Sequence, residues 1–472
     1  MRRYEQVIRV IEERIRGGSL RPGERLPSVR TLSEAFGFSV VTVYHAYGEL
    51  EAAGLIIGHP RAGFRVAPNA LTVAGGPSAM RQSPATETTA RDISLEDLSF
   101  RILSDWHPGQ PSPFGAVYPS ADLFPLADLS RHFRRVLRQP GKAVTMHTDG
   151  DLQLREHLAA HYSLAGYSVD ADSIVLTAAG MQGFNLCVMA ATQPGDTVLI
   201  EDPTFYPLLL TLHQRGLRAV TIESHPKFGI DPDEFDRLLK LHDVQAAVLM
   251  PRNHYPNGSC YSEETAQHVV RSAAKRDVLI IENDAYGELF FGKRISHSLK
   301  KFDEAGIVLH VGSLSSSLAP GYGIGWVIPG RTKTRIAGLR FFGAMLSGGL
   351  TQRAVAEYLT HESLDRHLRQ LRRHMEARMQ RGLQLLTEYF QFDFEVIPPL
   401  GGFNCWVRGP EKLDAIALAR QALDIGTSLL PGPLTSTARR FGNYFVLNFS
   451  FPWTDTTVER LRRLGELVAA MP

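Results

Sequence analysis

The sequence predicts an α/β protein that begins with a small, mainly helical head. From about residue 114 to the end, short β-branched apolar runs alternate with helical stretches, a pattern typical of a largely parallel sheet covered by helices. Residues 1–66 instead carry apolar residues at helical spacing and end in two short β-rich runs. The intervening residues 67–113 are predicted to be a linker, because periodicity is lost and Pro, Ala, Gly, Ser and Thr dominate residues 67–92.

The head contains three predicted helices followed by a hairpin. The first helix spans residues 4–16, and the next two begin at Ser28 and Ser39, since a serine hydroxyl caps the free amides of a helix start. The runs Gly54–Ile57 and Phe64–Val66 predict two strands around a turn. The residues predicted to face inward are Val7, Ile8, Ile11, Ile15, Val29, Leu32, Phe36, Val43, Ala46, Tyr47 and Leu50. This order of elements is that of a winged helix-turn-helix.

The larger part of the chain contains five predicted strands. They are Ser173–Thr177, Thr197–Glu201, Ala246–Met250, Val278–Glu282 and Ile307–Gly312. Ligands of such sheets bind at the carboxyl ends of the strands, so the loops that follow these runs are where functional residues are expected.

Composition excludes several classes of protein. The 472 residues are 44% hydrophobic and 21% charged, which excludes a mostly disordered or fibrous chain. No apolar run approaches the roughly 18–20 residues that span a bilayer, and no signal-peptide core follows the basic start. The cysteines Cys187, Cys260 and Cys405 have no CxxC spacing, so neither a disulfide framework nor a metal site is predicted, and a cytoplasmic location is expected.

Charge is informative only when it is taken by region. The whole chain has a net charge of +2, which does not indicate a nucleic-acid-binding protein. Residues 1–66, however, contain ten Arg against seven Glu, with no Lys and no Asp.

The head resembles the winged helix of GntR-type repressors through the runs Leu20–Leu32 and Gly37–Val43. The resemblance implies that the third helix lies in the major groove of DNA and that the hairpin contacts phosphate or the minor groove. The expected DNA-binding residues are Arg30, Ser39, Val40, Thr42, Tyr44, Arg61 and Arg65. The family usually has Arg after the capping serine, so Val40 predicts a different operator sequence or affinity. The alternative is a winged helix used for protein contacts.

The larger domain resembles fold-type I pyridoxal-phosphate (PLP) aminotransferases over nearly its whole length. The resemblance depends on the blocks Gly150–Arg155, Thr177–Gln182, Pro194–Asp196, Glu201–Tyr206 and Glu282–Leu289. Joined to a GntR-type head, it is similar to the MocR-type family of bacterial transcription regulators. That similarity implies an α/β domain over residues 114–472, with a smaller C-terminal α+β part from about residue 350, and a homodimer.

Several residues inherit cofactor roles through this resemblance. The amides of the Thr177–Gln182 turn would hold the phosphate, Phe205 would stack on the pyridine ring, Asp284 would pair with its nitrogen, and Tyr286 would bond its hydroxyl. The candidate cofactor-binding residues are Ala179, Gly180, Met181, Phe205, Asp284, Tyr286, Ser313, Ser315 and Ser316. The alternative for Asp284 is a helix cap or a solvated loop residue.

The sequence departs from the family at the positions that bind the cofactor and the substrate in the aminotransferases. The run Gly312–Trp326 aligns without gaps to the family's G-S-F-S-K-x-L-x-P-G-x-R-x-G-W, which puts Ser316 at the Schiff-base lysine and Gly323 at the phosphate-binding arginine. A hydroxyl forms no imine and cannot replace the amine base. Val446 stands at the arginine that clamps the substrate carboxylate, a bidentate role that an isopropyl group cannot perform.

These departures predict no catalytic residue and a PLP that is at most noncovalent, absent, or replaced by another effector. Tyr255 adds to them, because it replaces the asparagine that touches the ring hydroxyl. A pocket remade for another small molecule is predicted from His254, Tyr255, Gly323 and Val446.

The leading interpretation is a DNA-binding transcription regulator, homodimeric and not membrane-bound, whose large domain senses a small-molecule effector without transaminase activity. Two alternatives stay open. The first is an active PLP aminotransferase with a surrogate lysine, for which Lys293, Lys300 and Lys301 are candidates that more often are simply solvated charges. The second is a constitutive DNA-binding dimer that binds no ligand.

Overall fold

The three helices and the hairpin predicted for the head are present in a computed structural model of the chain. The structure describes residues 3–16, 20, 23–59, 63–67, 91–92, 114–139, 141, 149–293, 297–344 and 348–471. The chain divides into two compact units, of which the first contains the head. The elements of the head are α1 (Arg3–Arg16), α2 (Val29–Phe36), α3 (Val40–Ala52), β1 (Ile56–His59) and β2 (Gly63–Val66).

The core of the head confirms the predicted inward faces. Of the residues predicted to face inward, only Ile8, Val29 and Phe36 are half-buried, and the others are buried. The strand predicted from Gly54 begins two residues later, at Ile56. Gly54 adopts φ 70° and its amide bonds the Glu51 carbonyl, so this residue ends α3 instead of opening a strand.

The larger unit contains an eight-stranded sheet, and most of its strands are separated in the sequence by helices. Its strands are β3 (Arg91–Asp92), β4 (Val175–Thr177), β5 (Thr197–Asp202), β6 (Arg218–Glu223), β7 (Val244–Leu249), β8 (Leu279–Asn283), β9 (Val308–Ser313) and β10 (Gly325–Ile328). The order is β3-β6-β5-β7-β8-β9-β10-β4. The pairs from β6 to β9 are parallel, whereas β3 and β10 pair antiparallel with their neighbours.

The five predicted strands are confirmed within one to two residues of their ends, and the largely parallel sheet is confirmed with them. Strands β6 and β10 were not predicted. In β6, the polar residues Arg218, Thr221 and Glu223 interrupt the apolar run. Strand β10 is only four residues long and follows the loop that holds Gly323.

A smaller sheet of four strands lies in the C-terminal part of the chain. Its strands are β11 (Glu395–Val396), β12 (Asn404–Arg408), β13 (Leu430–Pro431) and β14 (Tyr444–Asn448), in the order β11-β12-β14-β13. The helices outside the head are α4 (Leu126–Leu137), α5 (Leu152–Leu164), α6 (Gly180–Ala191), α7 (Tyr206–Gln214), α8 (Pro232–Leu241), α9 (Glu263–Lys275), α10 (Lys333–Ala344), α11 (Gly349–His361), α12 (Leu364–Tyr389), α13 (Ala415–Asp424) and α14 (Asp455–Ala470). Among the described residues, no helix combines the length and apolar character that crossing a membrane requires.

Candidate functional site

The start of α3 presents an exposed surface in the head. The Ser39 hydroxyl accepts a hydrogen bond from the Thr42 amide (3.1 Å) and lies 2.8 Å from the Thr42 hydroxyl, so both side chains secure the helix start. Beside this cap, 49% of Val40, 78% of Val41 and 63% of Tyr44 is exposed. Exposed apolar and aromatic side chains at a helix start are suited to contact base edges and thymine methyl groups.

The arginines of the head lie in different settings. Arg30 is exposed on α2. Arg65 donates from Nη1 to the Gly23 carbonyl at 2.9 Å, so its guanidinium is held on the turn before α2. Arg61 lies outside the described residues. The sequence did not single out Val41, the most exposed of the three side chains at the start of α3, which becomes a further candidate for DNA contact.

The loop after β8 carries Asp284 and Tyr286, both fully or almost fully buried. The Asp284 amide donates to the Val311 carbonyl of β9 at 2.9 Å, which ties the start of this loop to the neighbouring parallel strand. The carboxylate therefore lies at the carboxyl end of the sheet, where ligands of such folds bind.

Asp284 forms a buried ion pair with Arg252, which follows β7. Arg252 Nε lies 2.8 Å from Asp284 Oδ1, and Arg252 Nη2 bonds Oδ2, so the pair is bidentate. Only 4% of the arginine side chain and 5% of the aspartate side chain is exposed. Glu288 adds a second carboxylate 3.6 Å from Arg252 Nη1. Burial opposes the charge of Arg252, but the attraction and hydrogen bonds of Asp284 raise the pKa of Arg252 well above its ordinary value.

Gly287 leaves the space that this ion pair occupies. A Cβ at this position would overlap Asp284 Oδ1 and the guanidinium of Arg252. The glycine in the Glu282–Leu289 block is therefore required by the packing of Arg252 on Asp284.

A chain of buried hydrogen bonds lies beside the ion pair. Glu282 Oε2 is 2.9 Å from His310 Nδ1, His310 Nε2 is 2.7 Å from the Tyr162 hydroxyl, and Trp326 Nε1 donates to the same hydroxyl at 2.7 Å. Burial raises the pKa of Tyr162, which keeps the phenol protonated and able to donate to His310. His310 Nε2 also lies 3.7 Å from Asp284 Oδ2.

Several aromatic rings pack together around Tyr286. Phe205 meets Tyr255 edge-to-face with ring centroids 5.0 Å apart, and Tyr286 meets Phe403 in the same way at 5.3 Å. Val446 belongs to the same apolar core, in β14 opposite Trp406 of β12. Phe205, Tyr255 and Tyr286 thus form one aromatic cluster, and Val446 belongs to the larger apolar core that contains Tyr255 and Tyr286.

The loop and helix start expected to hold a phosphate lie at β4, β9 and β10. Gln182 Oε1 accepts from the Ala178 amide at 2.7 Å, and the Ser313 hydroxyl accepts from the Ser315 amide at 3.1 Å. Gly323 adopts φ 58°, and a Cβ there would lie 2.7 Å from the Ala178 carbonyl oxygen. Side chains are strained in this backbone conformation, so an arginine cannot simply be substituted at Gly323.

The residues present do not fit PLP in the manner that the aminotransferase resemblance implies. Both carboxylate oxygens of Asp284 are bonded by Arg252, so the negative charge of this carboxylate is already paired with a buried guanidinium. Ser316, 3% exposed in the turn after β9, offers no amine, and Gly323 offers no guanidinium.

Two of the three candidate surrogate lysines, Lys300 and Lys301, lie close to acidic side chains. Lys300 Nζ donates to Asp303 (2.7 Å) and to the Val308 carbonyl (2.9 Å), and Lys301 Nζ lies 3.9 Å from Glu263. Lys293 is exposed.

His254 belongs to a different cluster from the one that contains Asp284. Its Nε2 lies 3.4 Å from Glu201 Oε2, and its Nδ1 lies 3.0 Å from Asn257 Oδ1. Glu201 also accepts from the Tyr261 hydroxyl at 2.8 Å and from the Met250 amide at 2.6 Å. The described contacts therefore do not join His254 to Tyr255, Gly323 and Val446 as one pocket.

Sequence reasoning missed the pairing of Arg252 with Asp284, and it missed the contacts that join Glu282, His310 and Tyr162. A signal for Arg252 was present: a charged residue directly after the apolar run Ala246–Met250 and Pro251 needs a buried partner. Glu282 and His310 lie within apolar strands, so they too need buried partners. Tyr162 gave no signal, because a tyrosine on a helix is often an ordinary core residue.

Comparisons with known proteins match both parts of the chain. Residues 3–66 match the gntR family of bacterial regulatory proteins, and residues 117–435 match aminotransferase class I and II. The chain is 33% identical over 470 residues to the HTH-type transcriptional regulator YdcR of Escherichia coli (strain K12), with 99% of each chain covered. It is 26% identical over 460 residues to the HTH-type transcriptional regulator TauR of Rhodobacter capsulatus, with 93% of this chain and 91% of the relative covered.

Solved structures show the same fold in the larger domain. The multiple substrate aminotransferase of Thermococcus profundus superposes with a TM-score of 0.72 at 24% identity, covering 80% of this chain and 96% of that chain.

Proposed function

This chain belongs to the aminotransferase class I and II family and is a DNA-binding transcription regulator of the HTH type, and from that premise we propose that its large domain is an effector sensor without transaminase activity. The observation that carries the proposal is the buried bidentate ion pair of Arg252 and Asp284. It neutralises the carboxylate that would otherwise stabilise a pyridinium ring.

Two further features support the loss of catalysis. Ser316, at the position aligned with the Schiff-base lysine, is buried and cannot form an imine with an aldehyde. The amine of Lys300, the most engaged of the surrogate candidates, is bonded to Asp303 and to a backbone carbonyl. A transamination cycle needs an amine base at the cofactor, and neither residue supplies one.

The effector is proposed to bind at the aromatic cluster of Phe205, Tyr255 and Tyr286, in which Tyr255 replaces the asparagine that is usual in the aminotransferases. Val446 lies in the apolar core beside this cluster, so no guanidinium from that position clamps a carboxylate. An uncharged or aromatic metabolite is therefore the favoured class of effector. Binding would act on transcription in a homodimer by changing the relative populations of domain arrangements.

A PLP titration of the purified chain tests the loss of catalysis. Absorption spectra are recorded with increasing PLP, the mixture is reduced with borohydride, and the intact mass is measured. We expect no visible imine band and no mass gain on any lysine. The variant Lys300→Ala serves as the matched control: a reducible adduct in the wild type that is lost in Lys300→Ala would overturn the proposal and identify the surrogate lysine.

Operator binding tests the sensor role. DNA affinity is measured with and without members of a metabolite panel, using a duplex selected from a random pool by the full chain. We expect one member to change the affinity in the wild type and to lose that effect in Tyr255→Ala. An affinity that no metabolite changes would favour the constitutive DNA-binding alternative.

A further inference from the structure

We propose that a divalent transition-metal ion, with zinc as the best match, binds between α4 and α11 at His132, Glu357 and His361. One ligand atom from each of these three residues lies within 4.8 Å of the others. Two imidazoles and one carboxylate form a donor set that Zn²⁺ uses in proteins. This group belongs neither to the head nor to the Asp284 cluster.

His132 supplies the buried part of this site. The residue is 4% exposed, and neither ring nitrogen makes a hydrogen bond within the described part of the chain. Its Nε2 lies 3.5 Å from Glu362 Oε1, so a second carboxylate lies next to the proposed metal ligands. A buried imidazole without a hydrogen-bond partner costs free energy, and a metal ion at its lone pair would remove that cost.

His361 is already oriented as a metal ligand. Its Nδ1 lies 3.0 Å from the Glu357 backbone carbonyl one helical turn earlier. An N–H at Nδ1 bonded to this carbonyl leaves the lone pair on Nε2, which is the arrangement that orients metal-binding histidines. The spacing of Glu357 and His361, four residues apart on α11, puts both side chains on one helix face.

The guanidinium of Arg135 lies where the proposed metal ion would bind. Its Nη1 lies 2.9 Å from His361 Nε2, and its Nε lies 2.9 Å from Glu357 Oε1. A guanidinium thus bridges the two ligand atoms that the metal would bind. Because 53% of the Arg135 side chain is exposed, it can move to solvent when a dication takes its place.

Zinc titration of the metal-free full chain, with expression tags removed, tests the proposal. Competition with a chromophoric chelator gives the stoichiometry and the affinity, and Co²⁺ substitution reports the coordination geometry through its visible absorption. We expect one zinc per chain and at least about tenfold weaker binding by His361→Ala. Removing the exposed His374 on α12 instead, as His374→Ala, is the matched control and should leave the affinity unchanged.

Arg135→Ala should change the zinc affinity in the opposite direction from His361→Ala. A purely structural role of His132, Glu357 and His361 would not produce this increase. It removes the competing cation, so zinc should bind several-fold more tightly than in the wild type. Zinc should also raise the melting temperature of the wild type and of His374→Ala but not that of His361→Ala. A wild-type chain that binds no zinc, or a His361→Ala variant that binds it as tightly as the wild type, would overturn the proposal.

Discussion

The DNA-binding head and the Asp284 cluster place their candidate functional residues in opposite surroundings. In the head, Arg30 and Tyr44 are exposed and lie beside a core whose residues are separate from them. In the larger domain, Arg252 and Ser316 are buried, and only 5% of the Asp284 side chain is exposed. A surface residue can change without affecting its neighbours, whereas a buried charge needs a buried partner.

This difference affects how freely residues of the two regions can be replaced. Val40, which stands where the family of the head usually has arginine, is 49% exposed, so its replacement disturbs no buried neighbour. In the larger domain, the side chain of Arg252 is buried because Asp284 pairs with it and Gly287 leaves it room, so a change at any one of these three residues would affect the other two.

The largest expected effect comes from breaking the buried pair. Arg252→Ala leaves Asp284 without its buried partner and should lower the free energy of unfolding of the larger domain by about 3–5 kcal/mol. Tryptophan fluorescence during urea unfolding reports this domain, since all four tryptophans lie outside residues 1–66.

Two variants set the scale for that loss. Arg237→Ala removes an exposed pair with Glu234 and should cost no more than about 1 kcal/mol. The double variant Arg252→Ala/Asp284→Ala should lose less stability than Arg252→Ala alone. A loss below about 1 kcal/mol for Arg252→Ala would contradict the role given to the pair.

The next effect is a dependence of stability on pH at Asp202, which ends β5. Burial raises the pKa of Asp202 from its ordinary value of 3.8 to about 6, although Arg440 at 3.2 Å opposes the shift. The folded chain therefore holds this proton more tightly than the unfolded chain, and the stability that the group contributes falls as the pH rises from about 4 through about 6.

Asp202→Asn isolates this contribution. The difference in free energy of unfolding between the variant and the wild type should increase in favour of the variant by about 2.4 kcal/mol from about pH 4 to about pH 7. Urea unfolding at several pH values measures it. A difference that does not change with pH would show that Asp202 titrates normally in the folded chain.

Substitutions on the exposed surface of the head should affect DNA binding and leave stability unchanged. Arg30→Ala and Tyr44→Ala are each expected to weaken binding to a selected operator by about 1–3 kcal/mol. Fluorescence anisotropy measures the affinity. Arg9→Ala on α1 removes the same charge elsewhere in the head and should have a smaller effect, and equal effects of Arg9→Ala and Arg30→Ala would indicate only a general attraction to phosphate.

The smallest effect compares two helix caps. Ser39→Ala and Ser262→Ala each remove a hydroxyl that accepts the amide three residues later, at 3.1 Å in both cases, and each should cost about 1 kcal/mol. Hydrogen exchange of the first turns of α3 and α9 measures the local loss. Only Ser39→Ala should also weaken operator binding, and an equal loss of DNA affinity in Ser262→Ala would break the distinction between the two regions.

Much of the fold could be predicted from the sequence. Helical spacing predicted the core of the head, from Val7 on α1 to Leu50 on α3, because in an amphipathic helix the periodicity is itself the burial pattern. Runs of β-branched residues predicted the central parallel strands for the same reason. Strand β6 was missed because polar residues at its ends and at Thr221 break up its apolar run.

The chemistry of the larger domain was determined by the sequence only in part. Residue types alone predict that Ser316 forms no imine and that Val446 makes no ion pair, since these are properties of the side chains. The partners of Arg252, His310 and His132 were decided by the tertiary structure, because their contacts join residues 28 or more positions apart in the chain. Local sequence patterns can indicate that such a residue needs a buried partner, but they do not identify the partner. The packing of β7 on β8, of β8 on β9 and of α4 on α11 brings these residues together.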